Sequence, residues 1–156
     1  KLAQHLYPHS RVYVFSRSPE ECDFALHLGA FWAGGFDQST TQPLQAVIDT
    51  TPAWTPILAA LDNLAPGGRL VINAIRKEQR DQIALLGLDY PRHLWMEKEI
   101  KSVANVTRRD VGEFLHLAAK LNIRPEVQLY AMEEANRALW ELKNRRIRGA
   151  KVLQTM

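Results

Sequence analysis

The sequence is poor in cysteine and has no long apolar run. Its one cysteine, Cys22, excludes an internal disulfide and any metal site built from several cysteines of this chain. No apolar stretch approaches the roughly 20 residues that a membrane-spanning helix needs. Residues 1–7 also lack the order of basic, apolar and small residues that marks a signal peptide. We therefore expect a cytoplasmic protein with no membrane partner.

The sequence also lacks a large excess of positive or of negative residues. The formal net charge is only +3, and the surplus basic residues lie mainly in the segment 143–151. That segment is too short, and too poor in interleaved aromatic residues, to indicate nucleic-acid binding. The histidines show neither metal-ligand spacing nor pairing with Cys22. A Gly-x-Ser-x-Gly elbow and a phosphate-binding Gly-Lys-Ser/Thr loop are absent as well.

What the sequence does contain is an alternation of strand and helix patterns, clearest over residues 46–75. A short apolar run at 46–49 precedes the segment 53–64, in which apolar residues recur every three to four positions. A second apolar run follows the turn signal Pro66-Gly67-Gly68. This order predicts two parallel strands joined by a helix in a right-handed crossover. The near-continuous apolar second strand favours a sheet covered on both faces.

Similar patterns flank this unit, and two of their helices begin with clear caps. Ser18 precedes Pro19 and Glu21, and Thr107 precedes Asp110, which are helix N-cap signatures. The predicted helices span 2–7, 18–28, 107–121 and 133–145. The other predicted strands span 11–16, 31–33, 100–104, 127–130 and 151–153, with 77–92 a loop holding at most one helical turn. The residues expected to face the core from the last two helices are Val111, Phe114, Leu115, Ala118, Leu121, Ala135, Ala138, Leu139 and Leu142.

These elements predict an α/β fold with a doubly wound, mostly parallel, Rossmann-like sheet. Ligands of such sheets bind at the carboxyl ends of the strands. Asp49, at one such end, is interpreted as a base, a hydroxyl acceptor or, as the simplest choice, a carboxylate at a helix N-terminus. Ser16, Arg17 and Ser18 follow another strand, at the position where dinucleotide-binding folds place an acid for the ribose hydroxyls.

Two hydroxyls and a guanidinium at that position suit a phosphate dianion better than a ribose hydroxyl, because an arginine fork matches phosphate oxygens. The pattern therefore favours a 2'-phosphate. The alternative is a solvated Arg17 beside a Ser18 that serves only as a helix cap.

Five segments of the sequence resemble the C-terminal, nucleotide-binding half of zinc-dependent medium-chain alcohol dehydrogenases. They read Ala-Val-Ile-Asp, Leu-Ala-Pro-Gly-Gly-Arg-Leu-Val, Lys-Ser-Val-Ala-Asn-Val-Thr-Arg-Arg-Asp, Glu-Glu-Ala-Asn-Arg-Ala-Leu and Ile-Arg-Gly-Ala-Lys-Val-Leu. The resemblance covers nearly the whole chain, and the last two segments are its most specific part. It implies a single nucleotide-binding domain over 1–156, in which 125–156 returns towards a catalytic domain.

The resemblance also implies which residues bind coenzyme. The family transfers hydride between an alcohol or aldehyde and a nicotinamide cofactor, while zinc polarises the alcohol oxygen. Ser16, Arg17 and Ser18 are similar to the variant that prefers NADP, with NAD as the alternative. The other implied contacts are Thr50 and Thr51 on the adenosine side, Ala74 and Ile75 near the nicotinamide, Val103 and Ala104 at its carboxamide, and Arg148 at the pyrophosphate.

Several family features have no counterpart in this sequence. The zinc ligands, the substrate pocket, the Gly-rich phosphate turn and the first strand all lie upstream in the family. We therefore expect a fragment with no catalytic and no metal-binding residue of its own, which does not turn over alcohol. Its sheet should have a gap where the first strand belongs, and its last strand should lack the catalytic-domain partner.

Two other functions stay open. The turn Leu-x-Pro-Gly-Gly-x-Leu-Val also occurs in methyltransferases that bind S-adenosylmethionine, although these usually carry an acid where Ser16 stands. The chain could instead be a non-catalytic oligomerisation piece, with the apolar segment 94–96 as the contact. A homo-oligomer is expected under the dehydrogenase interpretation as well.

Overall fold

The computed structural model of the chain describes residues 1–144 and 149–155. These residues form two compact units, Lys1–Asn105 and Val106–Met156, which are described separately. Every strand pair in the described residues is parallel. The predicted α/β class is therefore confirmed, whereas the single domain over 1–156 with its return segment from 125 stays a prediction.

The first unit opens with a small parallel pair of strands and two helices. Its elements are α1 (Leu2–Leu6), β1 (Tyr13–Phe15), α2 (Pro19–His27) and β2 (Trp32–Gly34). Ser18 is the N-cap of α2, since its hydroxyl accepts a hydrogen bond from the Glu21 N–H at 3.4 Å. Gly29 follows the helix with a φ of +95°, a conformation that glycine adopts without strain. These four elements agree with the sequence pattern.

The core of the first unit is the strand–helix–strand unit predicted from residues 46–75. It consists of β3 (Leu44–Asp49), α3 (Thr55–Asn63) and β4 (Leu64–Ile72), to which β5 (Glu99–Ser102) adds a third strand. The strand order is β3-β4-β5. The buried cluster consists of Ile57, Ala60, Leu61, Leu64 and Leu70. The helix thus packs its apolar side on the sheet, as its spacing predicted.

The turn predicted at Pro66-Gly67-Gly68 lies inside β4 instead of before it. Leu44 pairs with Leu64, but the next pairs join Ala46 to Arg69, so the register shifts within the strand. Gly67 has a φ of +67°. The prediction of a turn between helix and strand was wrong, because Leu64 is already extended and paired with Leu44. The extra residues between Leu64 and Arg69 form an irregularity within the paired strands.

The sheet has the expected gap in the part of the chain that the structure describes. Neither β1 nor β2 pairs with any strand of the β3-β4-β5 sheet. Between β4 and β5 lie a 3-10 helix (Gln82–Gly87) and α4 (Tyr90–His93), where the sequence predicted at most one helical turn.

The second unit contains a second parallel pair of strands. Its elements are α5 (Arg108–Lys120), β6 (Val127–Ala131), a 3-10 turn (Met132–Glu134), α6 (Ala135–Lys143) and β7 (Ala150–Gln154). Strands β6 and β7 pair along their length, and α6 packs against both. The predicted cap of α5 is confirmed, because Thr107 and Asp110 exchange hydrogen bonds as a capping box. Among the described helices, none has the length and apolar character needed to cross a membrane.

The predicted buried faces of α5 and α6 are largely exposed. Phe114 of α5 is 48% exposed and Leu139 of α6 is 62% exposed, whereas Ala138 is buried. The prediction that these faces are buried was therefore wrong for most of their residues, and α6 rather than α5 packs on β6 and β7. The end of the predicted helix, at residue 145, lies outside the described residues.

Candidate functional site

Three neighbouring strands end at one edge of the β3-β4-β5 sheet. Asp49 is in register with Ile72, and Ile72 is in register with Ser102. Backbone hydrogen bonds continue past the strands, from Asn73 N to Asp49 O at 2.7 Å and from Val103 N to Ile72 O at 3.1 Å. The residues that follow the three strands therefore lie along one edge. They include six predicted coenzyme contacts, namely Thr50, Thr51, Ala74, Ile75, Val103 and Ala104.

Most of these contacts are open to solvent. Thr50, Ile75, Val103 and Ala104 are exposed, while Thr51 and Ala74 are half-buried. The side chains of these six residues are small or apolar and carry no charge, so these residues offer a ligand backbone groups and a hydroxyl.

Asp49 lies beneath this edge and is bonded within the protein. Its side chain is only 3% exposed and forms an ion pair with Lys77 at 2.5 Å. Its other oxygen accepts hydrogen bonds from the Thr51 N–H at 3.2 Å and from the Thr51 hydroxyl at 2.8 Å. Asp49 is thus a hydroxyl acceptor and an ion-pair partner. The simplest interpretation of Asp49 from the sequence, a carboxylate at a helix N-terminus, was wrong.

The carboxylate at the N-terminus of α3 is Asp81, which sequence reasoning missed. One oxygen of Asp81 accepts from the N–H groups of Trp54 and Thr55 at 2.8 Å each, and from the Thr55 hydroxyl at 2.9 Å. The hydrogen bond from the Thr55 backbone is the main cause that lowers the pKa of Asp81. No local motif reveals this cap, since the acid lies 26 residues after Thr55.

A second candidate region lies at the ends of β1 and β2, around a cavity of about 630 Å³. Ser16 N donates to Gly34 O at 2.9 Å, which joins the two strand ends. Ser16 and Arg17 line the cavity. Arg17 is exposed and makes no hydrogen bond or ion pair with another described residue. Its guanidinium is therefore available to an anion.

The two hydroxyls predicted beside Arg17 differ in their availability. Ser18 donates its hydroxyl proton to the carboxylate of Glu20, and this hydrogen bond is the main cause that lowers the pKa of Glu20. The Ser16 hydroxyl accepts from the Ser18 N–H at 3.4 Å, which leaves its own proton to donate. Ser16 and Arg17 are thus brought together as donors, whereas Ser18 serves the helix.

Two carboxylates also line this cavity. Asp23 and Asp37 belong to its wall together with Ser16 and Arg17. Their negative charge disfavours an anion on their side of the cavity. Among the described residues that line the cavity, Arg17 is the one basic side chain.

In the second unit the basic side chain of Lys151 is paired internally. Lys151 donates to the Glu141 carboxylate and to the Tyr130 hydroxyl. The bond from Lys151, followed by that from Tyr130, lowers the pKa of Glu141 to about 2. Arg148, the predicted pyrophosphate contact, lies outside the described residues. Within the described ranges, no three His, Cys, Asp or Glu side chains form a group that could hold a metal ion.

Comparison with known proteins places the chain beside alcohol dehydrogenases. It is 34% identical over 144 residues to "Probable alcohol dehydrogenase AdhA" of Mycobacterium tuberculosis, a match that covers 92% of this chain and 40% of that protein. The predicted resemblance to alcohol dehydrogenases is thereby confirmed. The chain spans about two fifths of the length of this curated relative. No protein-family model matches the sequence.

Solved structures show the same fold. A "putative Alcohol dehydrogenase" from Sinorhizobium meliloti 1021 superposes with a TM-score of 0.77 at 18% identity, over 99% of this chain and 46% of that one. An enzyme named CAD from Helicobacter pylori, solved as a complex with NADP(H), superposes with a TM-score of 0.69 at 18% identity, over 92% of this chain and 40% of that one. The predicted Rossmann-like fold is confirmed.

Proposed function

We propose, from the relationship to alcohol dehydrogenases, that this chain is the coenzyme-binding part of a cytoplasmic, zinc-type alcohol dehydrogenase that uses NADP(H). The observation that carries the proposal is the 34% identity to a probable alcohol dehydrogenase over 92% of the chain. The parent enzyme would transfer hydride between an alcohol or aldehyde and the nicotinamide, with zinc in another part of that enzyme.

The preference for NADP(H) over NAD(H) is supported by the rim of the cavity at β1 and β2. No group of residues 1–144 or 149–155 pairs with the Arg17 guanidinium, and the Ser16 hydroxyl has a proton to donate. Both groups are donors, so they match a phosphate dianion, whereas a bare ribose hydroxyl pair would need a carboxylate acceptor there. The structural neighbour solved with NADP(H) is consistent with this choice.

The rest of the dinucleotide would lie along the edge of the β3-β4-β5 sheet. Thr50 would line the adenosine side, Ala74 and Ile75 the nicotinamide, and the backbone of Val103 and Ala104 its carboxamide. The pyrophosphate contact of Arg148 stays a prediction of the resemblance. Bound coenzyme would supply the hydride chemistry, while these residues bind and orient it. The chain alone is therefore expected to bind coenzyme without oxidising alcohol.

The test is a change of coenzyme preference. The double variant Ser16→Asp, Arg17→Ala replaces two donors with an acceptor, so the ratio of the NADH to the NADPH dissociation constant should fall at least about tenfold, as expected for the loss of a charge-assisted phosphate contact. Calorimetric titration measures both constants. Arg108→Ala, which removes an exposed arginine of the second unit, is the control for the loss of one surface cation. An unchanged ratio in the double variant would refute the phosphate-binding role.

We also infer that the parent enzyme is a homo-oligomer, with the segment 94–96 in the contact. Trp95 is 56% exposed and Met96 is 55% exposed, and the Trp95 ring packs edge-on against Tyr90 at 5.9 Å between centroids. A large apolar side chain at the surface favours an interface. Sedimentation velocity of the chain should show a larger species that Trp95→Glu converts to monomers, and a wild-type chain that is already monomeric would contradict this role.

A further inference from the structure

Lys77 connects the two loops that follow β3 and β4. Its ammonium group donates to the Asp49 carboxylate, to Thr51 O at 2.9 Å and to Ala53 O at 2.7 Å. It also lies 5.8 Å from the centre of the Trp54 ring. The Lys77 side chain is only 9% exposed. Because an ammonium has three protons to donate, all of its hydrogen-bonding capacity is used inside the protein.

These bonds fix a loop that has no regular secondary structure of its own. Residues 50–54 link β3 to α3, and two of their carbonyl groups point at Lys77. A backbone bond from Glu78 N to Pro52 O, at 2.7 Å, joins the same two loops a second time. The loop conformation is therefore determined by a side chain from the loop that follows β4.

The same contacts separate the roles of the two threonines in this loop. The Thr51 hydroxyl donates to Asp49 at 2.8 Å, so its proton is not available to a ligand. Thr50 is exposed at the edge where the strands end. The clamp made by Asp49, Lys77 and Thr51 thus turns Thr50, rather than Thr51, towards solvent.

We propose that Lys77 is a positioning residue for coenzyme binding: through Asp49 and the carbonyl groups of residues 51 and 53, it holds Thr50 in line with Ala74 at the edge of the sheet. This inference rests on the proposed coenzyme-binding function. Lys77 itself touches no ligand, since it has no donor left. Without the clamp, the loop would become ordered only when the coenzyme binds. The conformational entropy lost in that ordering would weaken binding.

The test compares two lysines of the first unit whose ammonium groups donate to backbone carbonyls. Lys98 also donates to backbone carbonyls, those of Leu61 at 2.8 Å and Arg92 at 3.0 Å, but it holds no residue of the proposed coenzyme edge. Lys77→Met and Lys98→Met each remove one positive charge and its hydrogen bonds to backbone carbonyls, and Lys77→Met also removes the ion pair with Asp49. Circular dichroism identifies a temperature at which both variants are folded, and calorimetric titration with NADPH is carried out there.

We expect Lys77→Met to weaken NADPH binding about tenfold or more, the size of effect that orienting partners have in other sites, while Lys98→Met leaves the dissociation constant within about twofold. Equal effects of the two substitutions, or none, would overturn the positioning role. If Lys77→Met does not fold, the double variant Asp49→Asn, Lys77→Met removes both buried charges and should show the same weakening. A wild-type chain that binds no NADPH would overturn the proposed function and this inference with it, whereas wild-type binding that Lys77→Met leaves unchanged would overturn this inference alone.

Discussion

The carboxyl ends of β3 and β1 both carry charged side chains, but the protein uses them differently. At β3, Asp49 and Lys77 are buried and bonded to each other and to nearby backbone groups. At β1, Arg17 is exposed and has no ion pair within the described residues. A buried charge needs its partner for the fold to be stable, whereas an exposed cation at a cavity rim can serve a ligand. The first region therefore maintains the architecture, and the second presents a cation that no described residue pairs with.

Breaking the buried pair should give the largest loss of stability. Asp49→Ala leaves the Lys77 ammonium buried without its carboxylate, and such a loss costs about 3–5 kcal/mol of unfolding free energy. Chemical denaturation measures it. Arg17→Met is the comparison from the exposed region and should change the unfolding free energy by no more than about 0.5 kcal/mol. Equal losses in the two variants would show that burial does not distinguish the regions.

Apolar residues should likewise contribute to the unfolding free energy according to their burial. Leu61 is fully buried in α3, whereas Leu139 of α6 is 62% exposed. Leu61→Ala should cost about 3 kcal/mol, because it removes buried surface and leaves a cavity. Leu139→Ala should cost less than about 1 kcal/mol. If thermal or chemical unfolding shows a large loss for Leu139→Ala as well, then the exposed side of α6 is covered in solution.

The sequence correctly predicted those parts of the fold that depend on contacts between residues close together in the chain. The capping box of Thr107 and Asp110 and the N-cap at Ser18 each lie within a few residues, and the structure confirms both. The alternation around α3 also indicated its buried side correctly. Patterns over one helical turn or one strand were thus sufficient to predict the α/β class and the positions of the strand ends.

What the sequence did not reveal depends on contacts between distant residues. Asp81 caps α3 from 26 residues away, and Lys77 reaches Asp49 from 28 residues away. A helix pattern also cannot say which surface covers an apolar side, as Phe114 shows by its exposure. At the candidate site, the sequence predicted where the strands end. It did not predict which side chains there are bonded within the protein and which are open to a ligand.

The internally bonded Glu141 should make stability depend on pH. Its pKa is lowered from 4.5 to about 2, chiefly by the bond from Lys151. Since the folded state binds this proton less tightly than the unfolded state, the contribution of Glu141 is complete above about pH 4.5 and is lost as the pH falls towards 2. Glu141→Gln should flatten the slope of unfolding free energy against pH in that range.

The control for this slope is a carboxylate on the surface of α5. Glu113 pairs with Arg109, and its side chain is 63% exposed. Glu113→Gln should leave the slope nearly unchanged, because exposed pairs contribute little. A slope that stays steep in Glu141→Gln would mean that the contacts with Lys151 and Tyr130 do not persist in solution.

The most direct test of the central claim is a calorimetric titration of the unchanged chain with NADPH, NADH and S-adenosylmethionine in parallel. The coenzyme-binding function predicts that NADPH binds most tightly, NADH more weakly, and S-adenosylmethionine not measurably. NADH binding tighter than NADPH would contradict the role of Ser16 and Arg17. Binding of S-adenosylmethionine alone would contradict the dehydrogenase function and favour a methyltransferase, and no binding of any of the three would contradict coenzyme binding by this chain.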